Sequence, residues 1–203
     1  MGDAYEQLAD TVRAVEALRS QAGLDRASVF HPTDLAFHTS LPEADIRRLL
    51  DGGPVEAPTS GPAELARRIA FLRETRLTVD KDTGGRRRYT TAEIAAGSGM
   101  TTQWHGKLLN RSTPNIWHGA GLARFFDVPM EYFTHTPAEA VKRVLDSKVI
   151  PDLTAFLKNP SEAVTNRHAL QIQLRLNGKQ LSPDLERALM AFVDAIARES
   201  SGP

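Results

Sequence analysis

Three consecutive arginines, Arg86, Arg87 and Arg88, lead into a polar run, Thr101-Thr102-Gln103-Trp104, followed by Lys107 and Arg111. These types suit two kinds of hydrogen bonding. A guanidinium fork or an ammonium pairs with phosphate oxygens and fixes position without reading sequence. A glutamine presents a donor and an acceptor together and matches an adenine edge, a threonine meets a thymine methyl or an acceptor, and a lysine reaches guanine or phosphate. Thr102 and Gln103 are the base-reading candidates, with Thr101 and Trp104 beside them. Lys107 lies one turn on, and the three arginines with Arg111 are the phosphate contacts. The plainer reading of Arg86–Arg88 is a solvated loop. Trp104 and Trp117 suit packing better than base stacking, which duplex readers rarely need.

Other chemistries lack their residues. The 203-residue chain has no cysteine, so disulfides, thiolate metal sites and cysteine nucleophiles are out. His31, His38, His105, His118, His135 and His168 form no zinc-ligand spacing and read as structural or surface residues. No phosphate loop, nucleophile elbow or paired catalytic carboxylates stand out, so neither an enzyme nor a cofactor nor a metal is expected. No apolar run reaches the roughly 20 residues of a membrane span, and the first residues resemble no export signal. A cytoplasmic, nucleoid-associated protein with no membrane contact is the expectation.

Formal charge is zero but unevenly spread. Residues 1–60 carry five basic and ten acidic side chains, residues 61–135 eleven and seven, and residues 136–203 nine and eight. The basic segment is the one holding the polar run.

The elements that must position that run can be read from caps and turns. Thr90 with Glu93 spells a capping box, and Tyr89 can staple onto Ile94. Gly97-Ser98-Gly99 ends this helix, with Gly99 free to turn left-handed. Thr101 caps a second helix running to about Leu109. Two short helices so joined must pack on small and apolar residues, and Ala95, Met100 and Leu108 sit where that packing needs them.

Ala95, Gly99, Met100 and Leu108 resemble the helix-turn-helix core of the Cro/CI-type (XRE) repressors. Gly121-Leu122-Ala123-Arg124-Phe125-Phe126-Asp127-Val128-Pro129-Met130-Glu131-Tyr132-Phe133 resembles the closing helices of such domains, especially the EspR-like actinobacterial branch. The likeness covers about residues 64–135, and more loosely the chain through Leu181-Ser182-Pro183. It implies a DNA-binding transcriptional regulator that dimerises through its C-terminal helices. The sequence departs from the pattern at His105, where the family has Ile or Val, at Gly106, and in a shorter loop after the second helix. Trp104 is expected to supply the apolar anchor instead.

The intervals from Ala95 to Gly99, His105 and Leu108 return at Ala36, Ser40, Ile46 and Leu49, which suggests a second, degenerate copy. Pro32 would open it, and the face of Leu8, Val12, Val15 and Leu18 would pack behind. Its Pro42-Glu43-Ala44-Asp45 face repels phosphate. A structural or protein-contacting role is expected, the alternative being that Arg47 and Arg48 touch DNA. Gly52-Gly53-Pro54 through Gly61-Pro62 reads as a linker.

Toward the C-terminus, Asn159-Pro160-Ser161-Glu162 looks like a helix start. Leu170, Ile172, Leu174 and Leu176 alternate as a strand would but are read as helix, because a lone strand has no partner. The expected architecture is all-α. It comprises a degenerate helix-turn-helix domain over 1–56, an XRE-type DNA-binding domain over 63–135 and a helical dimerisation region over 137–203. The expected partners are double-stranded DNA, a second copy of the chain, and a protein at the N-terminal domain. A protein-interaction module keeping this scaffold without DNA is the competing reading.

Overall fold

A computed structural model of the chain describes residues 2–56, 61–109 and 116–158. The expected helix start at Asn159 and the alternating segment to Leu176 lie outside the described residues. The described residues fall into two compact units, those within 1–54 and 141–203 forming one and those within 55–140 the other. Both are predominantly helical, as expected. The grouping differs from the expected serial domains, because residues 141–158 join the N-terminal helices.

In the first unit, α1 (Gly2–Ala22) buries Leu8 and Val15, while Val12 and Leu18 are half-buried. Asp25 caps the short α2 (Arg26–Val29) by accepting from Ser28 N at 2.8 Å. Then α3 (Pro32–Thr39) turns sharply through Ser40, at φ 59°, into α4 (Glu43–Leu50). Ile46 and Leu49 of α4 are buried. Arg26 ties this pair to α1, reaching Glu16 at 2.8 Å and Asp51 at 3.2 Å.

Helix α9 (Pro137–Val144) runs through a wide π turn, Leu145–Val149, into α10 (Ile150–Lys158). Pro151 explains the turn. Its ring would clash with a carbonyl one regular turn back, and widening the helix relieves that clash. Helix α1 packs along α10 and this π turn, and Thr11 Oγ1 donates to Asp146 Oδ1 at 3.4 Å. Val144, Leu145, Val149 and Leu153 are buried on that side of the chain.

The second unit begins with α5 (Gly61–Thr75), which buries Leu65, Ile69 and Leu72. An antiparallel hairpin follows, β1 (Leu77–Val79) and β2 (Arg86–Arg88), pairing Leu77 with Arg88, Thr78 with Arg87 and Val79 with Arg86. This places Arg86–Arg88 on a strand rather than in a solvated loop and adds a two-stranded sheet to the all-α expectation. Asp80 builds the turn, accepting at Oδ1 from Thr83 N at 2.9 Å and Asp82 N at 3.1 Å. Next come α6 (Thr91–Gly97), α7 (Thr102–Leu109), α8 (Ile116–Phe126) and a 3-10 turn, Met130–Phe133. Leu65, Ile69, Leu72, Ile94, Ala95, Met100, Leu108, Leu122, Phe126 and Tyr132 form one core, with Tyr89 and Trp104 packed at its edge.

Candidate nucleic-acid interface

The N-terminus of α6 is built as the sequence spells it. Thr90 Oγ1 accepts from Glu93 N at 3.2 Å, and Glu93 Oε2 accepts from Thr90 N at 2.8 Å. The helix stops at Ser98. Gly99, at φ 70°, reverses the chain, and Met100 N donates to Ala95 O at 2.9 Å. A β-carbon at Gly99 would fit the space but not that backbone angle. Thr101 Oγ1 then accepts from Trp104 N at 3.2 Å and opens α7.

One side of α7 is locked and the other is free. His105 and Leu108 are wholly buried, whereas Thr102, Gln103 and Lys107 are exposed. His105 is itself the residue in the core position, which corrects the expectation that Trp104 replaces it. Trp104 is half-buried, donates from Nε1 to Nδ1 of His118 on α8, and lies under Lys107, whose Nζ is 5.6 Å from the ring centroid. It is a packing residue that aims Lys107. Thr101 is exposed, but its hydroxyl is committed to the cap. Neither nitrogen of His105 finds a hydrogen bond among the described residues. Burial, and secondarily the Arg73 charge, push its pKa down and keep it neutral.

The three arginines do not share one face, because successive strand residues point to opposite sides. Arg87 turns inward, donating from Nη2 to Glu93 Oε1 at 2.6 Å and pairing with Asp80 at 3.2 Å. The guanidinium and the Thr90 donors hold the Glu93 carboxyl far below the usual range. Arg87 therefore supports the α6 cap. Arg86 and Arg88 point outward and are exposed; Arg88 pairs with Glu74, and Arg86 makes no ion pair among the described residues. Arg111 lies outside the described residues.

Sequence reasoning missed Arg68. This guanidinium is 1 % exposed, donates to Glu64 at 2.6 Å, to the Tyr132 carbonyl and to the His135 carbonyl at 2.7 Å, and so fastens α5 to the 3-10 turn. Its neighbours at i−3 and i+4, Leu65 and Leu72, mark it as sitting on the apolar face of α5.

In the first unit Ser40 stands where Gly99 stands in the second and shares its left-handed angle, and Ile46 and Leu49 match His105 and Leu108 in burial. The exposed side of α4 differs: Glu43 pairs with Arg47 at 2.7 Å and receives Thr33 Oγ1 at 2.7 Å. Both contacts hold the Glu43 carboxyl low, so it stays ionised beside Arg47. No group of three or more metal-ligating side chains occurs among the described residues, and no described helix is long and apolar enough to cross a membrane.

Comparison with known proteins finds no match among family models, curated proteins or solved structures. The functional reading therefore rests on this chain's own residues.

Proposed function

We propose that the protein is a sequence-specific double-stranded DNA-binding regulator of the XRE helix-turn-helix type, with α7 entering the major groove N-terminus first. The observation that carries this reading is the division of α7. Its inner side is fixed in the core by His105 and Leu108, while Thr102, Gln103 and Lys107 stand exposed beyond a tight glycine turn. A recognition helix needs this combination of rigid mounting and bare polar leading turn. Thr102 and Gln103 read bases, Lys107 reaches guanine or phosphate, and Arg86 is the outward cation of the hairpin. The α3–α4 pair is a degenerate second copy that serves as scaffold or protein contact.

The test is fluorescence anisotropy on pooled genomic duplexes, followed by sequencing of the retained fragments. Gln103→Ala should flatten preference at one base pair by about 1 to 3 kcal/mol and leave the others intact. Failure of the wild-type chain to bind any duplex at low salt would overturn the assignment. It would favour the protein-interaction reading, to which the pairing of Arg87 and Arg88 with carboxylates already lends support.

Two-fold dimers are the common state of such readers, and dimerisation through the C-terminal helices belongs to the same proposal. Light scattering at high micromolar concentration should give twice the chain mass. A monomer there would remove this part.

A further inference from the structure

The outer face of the hairpin carries more than cations. Residues directly opposite on antiparallel strands share a face. Leu77 therefore lies beside Arg88 and Val79 beside Arg86, while Thr78 and Arg87 take the half-buried inner side. Leu77 is 39 % exposed and Val79 61 %, which makes them two of the three exposed large hydrophobic residues among those described, the other being Trp117. The result is a ladder of two rungs, each an apolar side chain next to a guanidinium. Its negative neighbours are largely engaged. Asp80 is held by Arg87 and by the turn's own N–H groups, and Glu74 pairs with Arg88. Lys81 and Asp82 on the turn offset each other in charge, so the ladder dominates the face.

We propose that this face seats one sugar-phosphate strand of the duplex that α7 reads, with Leu77 and Val79 against deoxyribose rings and Arg86 on a phosphate beside them, while Arg88 stays paired with Glu74 at the edge. The inference rests on the DNA-binding reading above and adds a second contact to it. A DNA strand alternates an apolar sugar with an anionic phosphate, which is the alternation the ladder presents. The placement agrees: β2 ends two residues before Thr90, the cap of α6, and the first helix of such a motif crosses the DNA backbone. The apolar contacts add affinity without counterion release, while Arg86 adds a salt-dependent increment.

The experiment uses the full chain on duplexes it retains, with hydroxyl-radical footprinting and salt-dependent anisotropy on two hairpin variants and base preference read on Gln103→Ala. Leu77→Thr/Val79→Thr keeps strand-forming residues and removes the apolar half of the ladder. It should lower affinity about tenfold at unchanged salt slope, and should expose deoxyriboses beside the α7 contact that the wild type protects. Arg86→Ala should lower the slope of log affinity against log salt by about one. Arg87 is left alone because it supports the α6 cap. All the altered side chains are exposed, so wild-type melting is expected for both variants, and the arginine variant reads the same face independently.

Wild-type footprint and slope in both variants, together with an altered base preference in Gln103→Ala, would overturn the hairpin contact and leave the major-groove reading standing. Absence of duplex binding by the wild type would overturn both. A wild-type dimer that the threonine variant converts to monomer would assign the face to a second copy and also overturn the proposal.

Discussion

His105 sits in α7 at a position that must be filled for the helix to stay mounted, and it fills that position with a buried imidazole that has no hydrogen-bond partner among the described residues. Such a group costs stability in a way that depends on acid. The folded state keeps His105 neutral, whereas the unfolded chain protonates it near pH 6.5. The histidine's contribution is thus most favourable above about pH 6.5 and is lost as pH falls toward the depressed folded value, at up to about 1.4 kcal/mol per pH unit. His105→Leu should abolish the loss between about pH 6.5 and 5 and raise stability at neutral pH by about 1 to 3 kcal/mol. Urea melts at stepped pH check both; an unchanged pH profile in the variant would place the titrating group elsewhere.

The arginine triplet shows where single residues are legible in sequence and where they are not. The capping box of Thr90 and Glu93 was readable because it depends on two residues three apart. The separate fate of Arg87 was hidden, because three-residue strands leave almost no periodic signal and arginine is no strand marker. The available clue was Leu77-Thr78-Val79 ahead of the Gly84-Gly85 pair, a short β-rich run entering a glycine turn.

The pairing of α6 with α8 turns on a close approach. A β-carbon at Gly121 would stand 2.0 Å from the Ser98 carbonyl oxygen and 2.9 Å from its carbon, backbone against backbone, so no rotamer change relieves it. Gly121→Ala should cost about 1 to 3 kcal/mol and loosen the turn ahead of α7. Gly106 makes the contrast within α7: nothing lies within 4 Å of its added carbon, and Gly106→Ala should gain up to about 1 kcal/mol through helix propensity. Thermal denaturation of the two variants side by side decides it, and equal destabilisation would contradict the packing described. The glycine turn at 97–99 was evident from sequence, since glycine there is a local demand. The need for glycine at 121 was not, because it depends on which backbone arrives opposite.

For the whole molecule, the first unit is assembled from segments on both sides of the second. That grouping escaped sequence reading, because the amphipathic faces of α1 and α10 are each visible but nothing local says that they match. Its energetic content is testable. A chain ended at Ala140 loses Val144, Leu145, Val149 and Leu153, which are buried in the intact molecule. Residues 1–54 should then lose cooperative melting and amide protection while residues 55–140 keep theirs, by hydrogen exchange. Protection of α1 in the shortened chain would show that the N-terminal helices stand alone.

The same connectivity sets an order of events on the ribosome. Helix α1 emerges before its partner α10, which is made more than a hundred residues later, several seconds or more at about 5 to 20 residues per second. The segment around α7 can close its core within that interval. Helix α1 thus finishes folding after the segment made between it and α10, and during the wait its Leu8 and Val15 face is open to chaperones.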